Sequence, residues 1–316
     1  MLPLSLFNIL LLSLTSALGC ATQDPQGPQG TGQPLPAQAE NAPATPDHPD
    51  PEVDRILTEL ETADRGMRDL RAGIVYDRID RTLGDRQYRF GDLLFRDRTP
   101  EGQTGRAGMR SFVVRFDRYA DLDVTRDLNE SWAFDGRWLI ERNDDDKTFR
   151  KREITRVGEE VDPLRLGEGP LPIPIGQRKA DILERYEVEL VDPTDSLEEP
   201  EDPADKDEFA SYREAVTSTG AVQLKLTPRT EDEDGFDSVR LWYWKSPDDP
   251  DRWLPLMARA AKTNAKGREM DIAFVLMVGV KVNRGVTDEE MTVPEPGPGD
   301  GYTVQIDRLP VEGGGQ

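Results

Sequence analysis

The stretch Ser111-Phe112-Val113-Val114-Arg115-Phe116 decides how the chain is read. Phe112, Val114 and Phe116 recur at every second position, the period of a strand with one buried face and not of a helix. The same alternation extends outward on both sides. Upstream, Gly73–Tyr76, Gln87–Phe90 and Gly91–Arg96 read as strands; downstream, Glu130–Phe134, Trp138–Glu141 and Thr148–Ile154 follow, with Asn143–Asp146 as the turn between the last two. The C-terminal part adds Arg185–Leu190, Ala221–Leu226, Ser238–Lys245, Arg252–Ala261, Glu269–Val282 and Tyr302–Asp307. Within it, the eleven residues Ile272–Val282 are nearly all apolar but contain Gly279, and they suit a doubly buried strand better than a membrane span.

Helical spacing appears in three places. Asp50 and Pro51 form a helix start, and Val53, Ile56, Leu57, Leu60, Ala63, Met67 and Leu70 then mark one helical face. A short helix is expected near Gln177–Arg185, after the Pro-rich run Leu171–Gly176. Phe209, Tyr212 and Val216 mark a third, which closes an acidic, Pro-containing insertion near 192–207. The expected class is α+β: one large antiparallel sheet with helices packed on one side.

Composition narrows the chemistry. The 316 residues carry 40 basic and 62 acidic side chains, a net charge of −22, which repels phosphate backbones and speaks against a nucleic-acid partner. The single Cys, Cys20, and the single His, His48, both precede the first helix. The folded part therefore has no thiol nucleophile, no His base, no Cys/His zinc site and no disulfide, and no metal or cofactor is expected. Catalysis would have to rest on carboxylates, Lys or Tyr. Pairs such as Glu159-Glu160 could hydrolyse in principle, yet acidic residues are so common here that adjacent pairs are expected throughout. The acidic loop Thr230–Asp237 fails as a calcium loop, because aligning Gly235 with the loop glycine puts Leu241 where a bidentate Glu is required. A binding protein, not an enzyme, is expected.

Residues 1–20 read as an export signal with the apolar run Leu10-Leu11-Leu12-Ser13-Leu14. Its end, Ala17-Leu18-Gly19-Cys20, resembles the lipobox of bacterial lipoproteins, which implies acylation of Cys20 and a mature chain that starts there. The alternative is an ordinary signal peptide cut near Ala21, which would release the protein into the periplasm. Residues 21–50, with seven prolines and no aromatic residue, are expected to form a disordered tether. If Cys20 is acylated, Ala21 in place of Asp favours the outer over the inner membrane.

Leu93, Phe95, Phe112, Val114, Phe116, Trp132, Phe134 and Trp138 lie on neighbouring strands, and curvature would turn one face of them inward, around either a filled core or a lined cavity. Gly91–Arg98, the strand-turn Phe134-Asp135-Gly136-Arg137-Trp138-Leu139-Ile140 and Val222–Pro228 (VQLKLTP) together resemble the LolA/LolB-like superfamily of lipoprotein carriers and outer-membrane receptors over about residues 51–310. The resemblance implies an unclosed β-barrel with helices as a lid over an apolar cavity that takes lipoprotein acyl chains. It places Leu93, Phe95, Phe112, Val114, Phe116, Trp132 and Trp138 in the cavity, and Ile56, Leu57 and Leu60 on the lid. It also implies a latch arginine, with Arg98 the first choice and Arg96 the second. Lipidation at Cys20 matches the stationary receptor branch. On this reading Leu93→Glu or Phe95→Glu would abolish acyl binding and spare the fold. The rival is a filled-core envelope lipoprotein that contacts a protein partner; a carboxylate hydrolase is the least favoured.

Overall fold

Asp50 starts the first helix as expected, its carboxylate accepting the Glu52 N–H at 2.8 Å, and α1 runs Pro51–Arg65. The computed structural model describes residues 50–100, 109–121, 124–155, 175, 178–198, 206–230 and 236–309. Cys20, His48, the export signal and the tether up to residue 49 lie outside these, as do 199–205 of the acidic insertion and 231–235 of the acidic loop. The apolar stripe of α1 was expected to continue through Met67 and Leu70, but the helix stops before Gly66. There the Asn283 side chain donates to the Gly66 carbonyl at 2.9 Å and accepts the Arg68 N–H at 2.7 Å, turning the chain into the sheet. Met67 and Leu70 are buried against strands instead.

The strands are β1 (Asp69–Asp80), β2 (Asp85–Asp97), β3 (Arg110–Ala120), β4 (Thr125–Phe134), β5 (Trp138–Asn143), β6 (Thr148–Glu153), β7 (Tyr186–Val191), β8 (Val222–Pro228), β9 (Ser238–Lys245), β10 (Trp253–Thr263), β11 (Glu269–Val282) and β12 (Thr303–Asp307). All belong to one curved sheet in the order β12-β6-β5-β4-β3-β2-β1-β11-β10-β9-β8-β7. The sheet does not close, since β12 and β7 are left as its two edges. Neighbours are antiparallel except β12, which runs parallel to β6. The two short runs read at Gln87–Phe90 and Gly91–Arg96 are one strand, β2, with a bulge at the Phe90/Gly91 step opposite β3.

The helices do not share one side. On the first face, α1 and α2 (Lys179–Arg185) cover the β7–β10 half, where Val53, Ile56, Leu57 and Ile182 pack on Leu224, Leu226, Val239 and Leu241. On the second face, α3 (Lys206–Thr219) sets Phe209, Tyr212 and Val216 against Trp242, Met257, Ile272 and Phe274. Strands β9 and β10 carry apolar side chains in both directions, so each face needs its own cover. The front of the acidic insertion is part of that cover. Leu197 is fully buried, Asp195 pairs with Arg240 at 2.8 Å, and the Trp242 indole donates to the Pro193 carbonyl at 2.7 Å.

The rest of the second face is covered by residues 283–302, which run across the strands without regular structure and bury Met291 and Val293 on Leu94, Val113, Ile140 and Phe149. Arginines on the strands hold this strap: Arg71 binds the Glu290 carboxylate at 2.7 and 2.8 Å, Arg115 the Glu290 carbonyl at 2.7 Å, and Arg142 the Pro294 carbonyl at 2.8 Å. The Thr287 backbone N–H, followed by Arg71, lowers Glu290 from the usual 4.5 to about 2. Because the folded value is depressed, this contribution is full above 4.5 and is lost as pH falls towards about 2. Hydrogen exchange over 286–293 should thus differ between the parent protein and Glu290→Gln at neutral pH, and the difference should vanish across that window. A pH-independent difference would refute the assignment.

Candidate functional site

The cavity residues expected from the sequence form two cross-strand rows on the first face. Phe95, Phe112 and Phe134 make one row, and Leu93, Val114 and Trp132 make the next, each pair directly opposed in register. Phe116 stands opposite Gly91 on β2 and meets Trp132 edge-on, with ring centroids 5.2 Å apart. Ala72, Ile74 and Tyr76 of β1 and Ala273, Val275 and Met277 of β11 continue the surface. Strand periodicity produces it: the alternate positions of β1 to β4 and β11 that point this way are mostly apolar, with Arg89 and Glu130 as polar exceptions at one end.

Trp138 does not belong to it. Leu139, opposite Phe134, takes the first-face position on β5, so Trp138 lies on the second face beside Met291 and Val293. There its ring is flanked by the Arg137 guanidinium at 5.3 Å and the Lys151 ammonium at 5.2 Å.

The lid residues are also displaced from the expected cavity. Ile56 and Leu57 are buried and Leu60 is half-buried, but all three pack over β7–β10, and no described side chain of α1, α2 or α3 contributes to the apolar cluster around Leu93 and Phe95. Nor does either latch candidate reach α1. Arg96 projects to the second face, where its guanidinium binds Asp288 of the strap at 2.8 Å, and Arg98 binds the same carboxylate. The arginines secure the strap.

At 0 and 2% exposure, Leu93 and Phe95 are core positions, so a buried Glu there would unfold the strand pair before it tested binding. Trp132 is half-buried at the margin and is the better probe.

Sequence reading missed the polar end of this face. Tyr76 and Arg89 are directly opposed across β1 and β2. Arg89 Nε donates to Glu130 at 3.0 Å, and the other Glu130 oxygen accepts the Trp132 indole N–H at 2.9 Å. Arg89 Cζ lies 5.9 Å from the ring centroids of both Tyr76 and Tyr119. Burial raises the Tyr76 phenol above its usual 10, so it stays a hydrogen-bond donor at neutral pH. The signal was available in part, as Tyr76, Arg89 and Glu130 occupy inward positions of their strands, but only pairing register brings them together.

Among the described residues no cluster of three His, Cys, Asp or Glu side chains could hold a metal ion, and no helix is long and apolar enough to cross a membrane. A hollow of about 290 Å³ lies away from the apolar rows, between α1 and the turn before β10, lined by residues such as Glu59, Thr62, Asp249 and Arg252.

No family model matches the chain, and no curated protein matches it. The fold is similar to solved LolA superfamily structures. One, from Nitrosomonas europaea, is 11% identical, with 76% of this chain and 97% of that one covered and a TM-score of 0.32. LprF from Mycobacterium bovis is 10% identical over 76% and 96% of the two chains, with a TM-score of 0.33. An uncharacterized conserved protein from Thermus thermophilus is 12% identical over 82% and 99%, with a TM-score of 0.37. Likeness at this level says nothing about ligand or partner, so function has to be argued from the chain's own residues.

Proposed function

We propose that the protein is a non-catalytic binding domain of the bacterial cell envelope, held to a membrane through Cys20 and accepting the acyl chains of lipoproteins or other lipids on its first face. The observation that carries this is the pair of apolar rows Phe95-Phe112-Phe134 and Leu93-Val114-Trp132, a continuous apolar face to which no described side chain of α1, α2 or α3 contributes. Burial of an alkyl chain there would be driven by about 0.8 kcal/mol per CH₂.

The test is titration of the mature protein, purified without detergent, with a fluorescent fatty acid, followed by Trp132→Ala. Removal of one large aromatic contact should weaken binding about tenfold. Absence of binding by the parent protein would refute the reading, and an unchanged Kd in the variant would move the site elsewhere.

The second reading, an envelope interaction lipoprotein with a filled core, is favoured by the 0% exposure of Leu93 and Val114. It expects no probe binding and capture of an envelope protein instead.

A further inference from the structure

We infer that the Tyr76–Arg89 end of the first face is a headgroup site for an oxyanion, a carboxylate or a phosphate monoester, carried on an apolar chain. The inference rests on the acyl-binding reading and names the class of amphiphile.

Three features of this corner argue for it. Glu130 engages Arg89 only through Nε, at 3.0 Å, while its other oxygen is occupied by the Trp132 indole. The two terminal nitrogens of Arg89 and the Tyr76 hydroxyl are left without a hydrogen-bond partner among the described residues. The guanidinium nitrogens are donors only and the protonated phenol can add a third donor, so what the corner lacks is an acceptor. The free edge of a guanidinium matches two oxygens of one carboxylate or phosphate in a planar, bidentate pair.

The site is also held in place. The Arg89 side chain is 20% exposed, Tyr76 and Tyr119 stand on either side of it, and Glu130 fixes its inner edge, so little side-chain freedom remains to be lost on binding. Position supplies the third argument. Phe116 and Trp132, whose rings lie 6.4 and 5.9 Å from that of Tyr76, begin the apolar rows directly beside it. A ligand with its charged end on Arg89 would lay its chain along Trp132, Val114 and Leu93.

Charge decides between a free anion and an amphiphile. The chain carries a net −22, and the two arginines flanking this corner are already paired, Arg78 with Asp271 at 3.1 and 3.2 Å and Arg126, 4.8 Å from the Tyr119 ring, with Asp145 at 3.9 Å. Small soluble anions are repelled by such a surface, so an anion is retained here only if an attached apolar chain contributes most of the binding.

The experiment uses the mature protein and two matched probe pairs: cis-parinaric acid against its methyl ester, and lysophosphatidic acid against the monoacylglycerol of the same chain length. Within the pair that carries the correct headgroup, the anionic member should bind about tenfold tighter than the neutral one, as expected for one bidentate charge-assisted contact. Arg89→Gln should bring that ratio to about one, and Tyr76→Phe, which preserves shape if the first variant folds poorly, should reduce it. Whichever pair shows the larger ratio identifies the headgroup. Equal affinities within both pairs in the parent protein would overturn the headgroup site and leave acyl binding standing. Failure of all four probes to bind would overturn the acyl reading, and this inference with it.

Discussion

Asp77→Ala should melt about 10 °C below the parent protein, from a loss of about 3–5 kcal/mol in a domain of this size. Asp77 and Arg86 are 0 and 4% exposed, on β1 and β2, and face the second side of the sheet. Two hydrogen bonds, at 3.0 and 2.7 Å, join them as a fork. The Tyr212 hydroxyl of α3 donates to the same carboxylate at 2.6 Å, and burial keeps that phenol well above its ordinary value. The Tyr212 ring stacks on Phe274 at 4.7 Å, so one side chain ties α3 to the sheet by both packing and polarity.

Removing Asp77 takes the fork partner from a guanidinium that stays in the interior, where Glu208 lies 3.8 Å away. The cost is that of a buried charge that has lost its fork partner rather than the worth of the pair. Two further variants separate these effects. Tyr212→Phe deletes one hydrogen bond and should cost about 1–2 kcal/mol. The double change Asp77→Leu with Arg86→Met removes both charges and should recover most of the loss. A single Asp77→Ala variant melting within a degree or two of the parent would show that Arg86 escapes to solvent and that the network is not holding α3.

Why this network is invisible in the sequence bears on how far such a chain can be read. Within each strand, alternation sorted residues correctly: Phe112, Val114 and Phe116 share a face, as do Val239, Leu241 and Tyr243. Alternation cannot say how one strand's faces align with the next, because that is set by turn length and bulges. The turn Asp135–Arg137 gives Leu139 the place opposite Phe134, and for that reason Trp138, aromatic and adjacent, falls on the wrong side for the expected cavity. Nor does it say that a polar residue is outside. Asp77 and Arg86 occupy the alternate, nominally solvent-facing positions of β1 and β2, and they are buried because α3 covers them. The helix α1 was legible from its cap and spacing, but not the half of the sheet it would choose. The strap at 283–302 carries no periodicity at all, and its anchors are arginines distant in sequence. The apolar rows were therefore legible residue by residue, while the Tyr76–Arg89–Glu130 corner needed three strands in register.

Gly91→Ala is the other substitution expected to have a large effect, with a loss upward of about 4 kcal/mol or no soluble folded protein. A Cβ at this position would sit 1.8 Å from the Arg115 carbonyl oxygen and 2.8 Å from Phe116 Cα. Both are backbone atoms of the adjoining strand, so no rotamer change relieves the overlap; β2 and β3 would have to separate. The close approach arises at the bulge, where Phe90 pairs with Arg118 and Gly91 with Phe116, leaving Asp117 as the extra residue. The bulge turns β3 so that Phe116 stands over the gap left by glycine and reaches Trp132, while Arg89, two residues earlier on β2, stays on the same face. Pairing at Gly91 therefore sets both the last member of the apolar rows and the approach to the polar corner. Chemical denaturation should show a midpoint far below that of Gly73→Ala, since a Cβ at Gly73 meets nothing closer than 3.5 Å on the neighbouring strand. If the two alanine variants were equally stable, β2 and β3 would not be packed backbone to backbone at this bulge, and the placement of Phe116 against Trp132 would lose its physical basis.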